Sequence, residues 1–129
     1  RPPRSTLFPY TTLFRSEPLL KRDLEAYYEQ FKKSIIMFEF GAEAIEGMHS
    51  LPSVAFSEEY QTDFLREYCR IFDELPYVQG ELVWNFADFM TKQGTIRVNG
   101  NRKGVFTRER QPKSAAFYLK ERWQNKTEK

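Results

Sequence analysis

Three groups of residues in this chain have types and spacings suited to chemistry. The first is one carboxylate, Glu39, at the end of the apolar run Ile35-Ile36-Met37-Phe38, with Gly41 two residues on, where the backbone can turn away. A run so short and so apolar predicts a parallel strand buried on both faces. Leaving a carboxylate unpaired there would cost on the order of several kcal/mol, and the carboxyl ends of strands in α/β folds are where reacting groups sit. Glu39 is therefore either a reacting group or a carboxylate that caps the next helix or pairs with an arginine. The second group is Trp84 with Asn85, at the end of a strand-like stretch, 77–86, bounded by Pro76. An indole face offers a flat apolar platform for a ligand ring. The third is Arg97, Asn101 and Lys103, in a glycine-containing loop just past that strand. They either converge on one anionic ligand group through charge-assisted hydrogen bonds or form a solvated basic turn.

The other polar candidates read as structural. Glu81, inside the second strand, faces a barrel interior or a basic neighbour, and Glu43 lies past the turn that follows Glu39. His49 is the only histidine, and with no His or Cys at ligand spacing no metal site is expected. A single cysteine, Cys69, excludes an internal disulfide and is expected to be inert beside a core stripe. Twenty Lys and Arg against 18 Asp and Glu give a net charge of +2, so nothing in the totals demands a nucleic acid or a membrane surface. No apolar run approaches the ~20 residues of a membrane span. The basic residues Arg97, Arg102, Lys103, Arg108, Arg110 and Lys113 form a short cluster interleaved with an acid, which makes nucleic-acid binding a distant alternative with steep salt dependence as its signature.

The elements that must position these residues follow from periodicity. Pro18 suits a first helical turn, and Leu20, Leu24, Tyr27, Tyr28 and Phe31 make one face of a helix closed by Lys32 and Lys33. A long loop, 41–56, precedes Ser57, an N-cap followed by Glu58 and Glu59. Phe56, Tyr60, Phe64, Tyr68 and Phe72, joined by Leu65, Ile71 and Leu75, predict core packing against a sheet. Pro112 opens a last helix with Ala115, Ala116, Leu119 and Trp123 on one face. The order is helix, strand, helix, strand, helix. Residues 1–16 stand apart: Thr6-Leu7-Phe8 half-repeats as Thr12-Leu13-Phe14-Arg15, and the stretch resembles an in-frame translation of a sequencing adapter. It is expected to be a non-native, disordered leader, leaving 17–129 as the natural segment.

Phe38-Glu39-Phe40-Gly41-Ala42-Glu43 is similar to the nucleophile motif of the β-glucuronidases of glycoside hydrolase family 2. In the same order follow Gly80-Glu81-Leu82-Val83-Trp84-Asn85-Phe86-Ala87-Asp88-Phe89, then Arg97-Val98-Asn99-Gly100-Asn101-Arg102-Lys103-Gly104, then Phe106 through the Gln111-Pro112-Lys113-Ser114-Ala115-Ala116-Phe117 stretch. The resemblance runs from about Leu20 to Trp123. It departs at Phe38 and at Phe40, where the family usually has Tyr, so no hydroxyl flanks Glu39. A complete (β/α)8 barrel takes ~250 residues and this chain has 129. The resemblance therefore implies an α/β fold that is the C-terminal part of a TIM barrel, about the last quarter plus one preceding helix. It implies a retaining hydrolase of β-D-glucuronides working through a covalent glycosyl-enzyme intermediate, without metal or other cofactor. Glu39 would be the nucleophile and Trp84 the sugar platform. Asn101 and Lys103 would bind the carboxylate at the sixth carbon, reinforced by Arg97. The acid/base glutamate would come from an earlier strand, so the segment alone is expected to be inactive. The resemblance also implies a non-proline cis peptide after Trp84, a homotetrameric parent, and a lysosomal location in a eukaryote or a cytoplasmic one in a bacterium. A noncatalytic carbohydrate-binding module using Trp84 and the basic loop is the alternative.

Overall fold

The computed structural model describes residues 10–95 and 99–127. Its elements, in chain order, are helix α1 (Tyr10–Phe31), strand β1 (Ile35–Phe40), helix α2 (Glu58–Glu74), strand β2 (Val78–Val83) and helix α3 (Ser114–Thr127). β1 and β2 pair in parallel, so both carboxyl ends open on the same side, and the connection between them runs through α2 as in a βαβ unit. The helices pack in series, α1 on α2 and α2 on α3. This is the expected α/β portion of a TIM barrel.

The core lies between the strands and the helices. Phe40 comes from β1, Leu65, Cys69, Ile71 and Phe72 from α2, and Ala115 and Leu119 from α3, with Leu24 of α1 and Val105 joining them. Burial of Cys69 pushes its thiol up to about 11, which makes it the inert core residue expected.

Several expectations about burial need correcting. β1 is not covered on both faces: Ile36 and Phe38 are each 64% exposed, while Phe40 is buried. Among the described residues the sheet has only two strands, so the face that a closed barrel would fill with side chains is open. The aromatic stripe of α2 is an edge to the core rather than its centre. Phe64 stacks on Tyr68 with ring centroids 4.2 Å apart, and Phe40 meets Phe72 edge-on at 5.1 Å, whereas Phe56 is exposed. Phe56 precedes the Ser57 cap and has a φ of 71°, so it lies outside the helix whose period the stripe follows. α1 begins at Tyr10, ahead of Pro18, which lies inside the helix, so its first turns fall within residues 1–16, the stretch read as a non-native leader. An interior proline loses one backbone bond and its ring crowds the carbonyl four residues earlier, which is why the sequence alone places it at a first turn.

The N-termini of α2 and α3 meet at one carboxylate. Ser57 caps α2 by accepting from the Tyr60 N–H. Glu58, next in line, accepts from the Ser114 N–H and hydroxyl, each at 2.6 Å, and from the Gly47 N–H at 2.8 Å. Two helix N-termini therefore share one negative charge. Burial alone would raise the Glu58 carboxyl, but these hydrogen bonds outweigh it and hold the group below its ordinary range. A carboxylate depressed in the folded state stabilises fully above the unfolded value of about 4.3, and that stabilisation disappears as the pH falls through the lower folded value. Glu58→Gln should destabilise the protein at pH 7 by roughly 1–3 kcal/mol and flatten the acid limb of its stability. Urea midpoints measured across the acid range check this, and parallel pH profiles for the two proteins would contradict it.

Candidate active site at the strand ends

Glu39 owes its position to a break in strand alternation. In β1 the half-buried residues are Ile35 and Met37, and the next on that face would be Glu39. The register shifts there: Phe38 pairs with Leu82 and Phe40 with Val83, which leaves Glu39 as the extra residue of a bulge. Its φ is 62°, in the left-handed region that a residue with a Cβ rarely occupies. The bulge returns Phe40 to the core face and turns Glu39 outward, exposed. Phe40 thus packs against the helices, and the absent tyrosine hydroxyl is not replaced by another group on that side chain. No hydrogen bond ties the Glu39 side chain to any described residue, so it neither caps α2 nor pairs with an arginine; Ser57 and Glu58 hold the helix start instead.

β2 brings Trp84 beside this carboxylate. The Trp84 N–H donates to the Phe40 carbonyl at 2.9 Å, which extends the ladder one step past the strands. The Trp84–Asn85 peptide is cis, as expected. The Trp84 carbonyl passes so close to Gly41 that a Cβ there would lie 2.3 Å from its oxygen, and this fixes why glycine follows the nucleophile candidate. The indole is partly exposed and is met edge-on by Phe89 at 6.2 Å between ring centroids.

The basic loop is stitched to both strand ends. Asn85 N–H donates to the Lys103 carbonyl at 3.2 Å, and Ala44 N–H, in the loop after β1, donates to the Arg102 carbonyl at 3.0 Å. Asn101 is buried, and its Oδ1 accepts from the Lys103 N–H at 2.9 Å. The asparagine therefore shapes the turn that presents Lys103, and its Nδ2 makes no hydrogen bond to a described residue. Lys103 is half-buried, and its Nζ likewise bonds to none of them. Arg97 lies outside the described residues. Glu39, Trp84, Asn101 and Lys103 are thus carried on segments joined to one another at the carboxyl-terminal side of the sheet.

The residues read as structural behave so. Glu81 accepts from Arg122 Nε and Nη2, both at 2.8 Å, and from Trp123 Nε1 at 2.9 Å. Burial pushes its carboxyl up, but the Arg122 and Trp123 bonds prevail and hold it low. His49 Nδ1 lies 2.7 Å from Glu59 Oε1, and this contact raises the imidazole above its ordinary value. Among the described residues, no group of three His, Cys, Asp or Glu could hold a metal ion. The basic cluster also loses members as a nucleic-acid surface, because Lys113 is fully buried and Arg102 pairs with Glu46 at 2.9 Å.

Two polar residues central to this region escaped the sequence reading. Gln61 of α2 is buried, and its Nε2 is within hydrogen-bond distance of the carbonyls of Ala42 (3.0 Å), Gly104 (3.1 Å) and Lys103 (3.3 Å). Asp88 is buried with Lys113; its Oδ1 accepts from Lys113 Nζ and from the Gly104 N–H, each at 2.9 Å. Lys113 Nζ is also 2.9 Å from Oδ2, but without hydrogen-bond alignment, and that oxygen has no hydrogen bond of its own. Burial pushes the Asp88 carboxyl above its ordinary range, with Lys113 and the Gly104 N–H pulling against it. The one available signal was Lys113 itself, a lysine between Pro112 and a helix start, which read as one more surface cation.

The model of the family glycosyl hydrolases family 2, TIM barrel domain, matches residues 5–127. The chain is 56% identical over 101 residues to a beta-glucuronidase of Paenibacillus borealis, a match that covers 78% of this chain and 17% of that protein. It superposes on the beta-D-glucuronidase of Dictyoglomus thermophilum with a TM-score of 0.85 at 54% identity, covering 87% of this chain and 19% of the other. The Ruminococcus gnavus beta-glucuronidase in complex with uronic deoxynojirimycin gives a TM-score of 0.81 at 46% identity, covering 84% and 19%. The chain therefore spans under a fifth of the length of these relatives.

Gly41→Ala should disturb this site more than any change of equal size nearby. The added methyl must displace the Trp84 carbonyl, moving the indole relative to Glu39. A shift in the Trp84 environment, read as intrinsic fluorescence against a Gly94→Ala control where a Cβ meets nothing within 4 Å, is the expected result; identical spectra for the two variants would contradict it.

Proposed function

This chain belongs to the TIM barrel domain of glycosyl hydrolases family 2, and from that premise we propose that it supplies the nucleophile and the sugar-binding face of a retaining β-glucuronidase. The observation that carries the proposal is the bulge at Glu39. It turns a carboxylate, bonded to no described side chain, outward at a strand end beside an exposed tryptophan.

In the proposed reaction a Glu39 oxygen attacks the anomeric carbon of a β-D-glucuronide and forms a glycosyl ester. The glycosidic C–O bond breaks, and the leaving oxygen takes a proton from a second carboxyl group ~5 Å away. That second group then removes a proton from water as the water cleaves the ester, which frees Glu39. The acid/base comes from a part of the barrel outside this chain, so this segment alone turns over no glucuronide. Trp84 offers its ring face to the sugar.

Lys103 and Asn101 provide the substrate choice. An ammonium and an amide donor on one short turn suit the carboxylate of a uronic acid, and a neutral sugar would leave the lysine desolvated and unpaired. Polar sites of this kind reject the wrong ligand by up to roughly 10⁴-fold. The R. gnavus relative was solved with a uronic ligand, which supports this reading. Arg97, four residues before Asn101 in the sequence, is proposed to reinforce the same pocket, and a homotetrameric parent is proposed with it.

In the full-length enzyme, Glu39→Gln should abolish turnover of an aryl glucuronide while leaving the fold intact, and Lys103→Ala should chiefly lower the preference for glucuronides over galactosides. Steady-state kinetics on matched substrates check both. Retained turnover in the first variant, or unchanged preference in the second, would remove that residue from its role.

A further inference from the structure

We infer that Lys113 is a positioning residue that holds the loop after β1, the strap after β2 and the Asn101–Lys103 turn in one register. The inference rests on the roles proposed for Glu39 and Lys103. The Lys113 side chain is 0% exposed, and its ammonium has three hydrogen-bond acceptors. They are the Ala44 carbonyl at 2.7 Å, Asp88 Oδ1 at 2.9 Å and the Arg102 carbonyl at 3.2 Å.

Each acceptor belongs to a different segment. Ala44 follows Glu39 by five residues, Asp88 follows Trp84 by four, and Arg102 lies between Asn101 and Lys103. An ammonium has three donors and no acceptor, so this group is filled by one partner from each of the three segments that carry site residues. Asp88 passes the constraint on: the same Oδ1 accepts from the Gly104 N–H, where a Cβ would lie 2.2 Å from the Asp88 nitrogen. The backbone on the far side of Lys103 is thereby pinned as well. An arginine could not substitute, because its planar fork directs its donors into one plane.

Any fully buried ammonium needs its donors satisfied; what bears on position is that these three acceptors come from three segments that carry site residues. Removing the lysine should let those segments move relative to one another, and a misplacement of about 1 Å in a binding group costs roughly 10²-fold in rate. Removing only one partner also leaves a buried charge unpaired, so Lys113→Met by itself confuses position with stability. The double variant Lys113→Met/Asp88→Asn removes both charges and keeps an Oδ1 acceptor for Gly104.

The test compares the double variant with wild type in the full-length enzyme by two readouts. These are amide hydrogen exchange in residues 42–46 and 101–105, and kcat/KM for an aryl β-glucuronide relative to the matched β-galactoside. Faster exchange confined to both segments, with kcat/KM for the glucuronide reduced by roughly 10²-fold and that for the galactoside reduced less, is the expected result. Wild-type exchange, or a double variant that fails to fold, would overturn the positioning role, and so would wild-type preference where Lys103→Ala lowers that preference. Lys103→Ala, run alongside, separates the two levels: if it keeps the wild-type preference, Lys103 is not the uronate ligand, and the exchange data still decide whether Lys113 holds the loops.

Discussion

Strand alternation is the constraint on which this site depends. Side chains of β1 must point alternately to the helices and away from them, and a residue following Met37 by two belongs on the helix side. A carboxylate there would take the buried place that Phe40 fills against Tyr68 and Phe72. The extra residue inserted at Glu39 resolves the conflict by letting Phe40 take the buried place. The left-handed φ at Glu39 is the local cost, and such conformations persist only where the surroundings over-determine them. Here the surroundings are the Phe40 ring locked among Tyr68 and Phe72 on one side, and the Trp84 N–H bonded to the Phe40 carbonyl on the other.

A second level of organisation lies beneath the loops. Past the strand ends the ladder gives way to isolated bridges, Ala87 with Phe106 and Phe89 with Asn101 among them, and the buried carbonyls these leave over need other donors. Gln61, Lys113 and the N–H groups of Asn85 and Ala44 supply them. Glu58 does the reverse for N–H groups, gathering those of Gly47 and Ser114. The irregular region is therefore held by these bridges and by a few buried polar side chains in or just before the helices, each reaching more than one segment. Loops fixed in this way can present a carboxylate, an indole and an ammonium together, as a binding site on a rigid scaffold requires.

The element order, the Ser57 cap and the structural role of Glu81 were all legible in the sequence, because each rests on local periodicity or on one residue type at one place. Family resemblance added the cis peptide after Trp84, which no periodicity could suggest. The burial of β1 was misjudged because an apolar run does not say how many neighbours cover it. Lys113 and Gln61 were missed because their partners lie 69 and 19 residues away, at Ala44 and Ala42. A polar residue engaged only by distant carbonyls looks like any surface side chain until the chain is folded. The bulge at Glu39 belongs to the same class, since it arises from pairing with β2.

The central claim is that Glu39, turned outward by the bulge, bonds to the anomeric carbon of a glucuronide. Treatment of the full-length enzyme with a 2-deoxy-2-fluoro-glucuronosyl fluoride, followed by proteolysis and mass spectrometry, tests it directly. The label should be found on the peptide spanning Glu39 and on that residue within it. A label on any other carboxylate, or inactivation with no covalent adduct, would contradict the account.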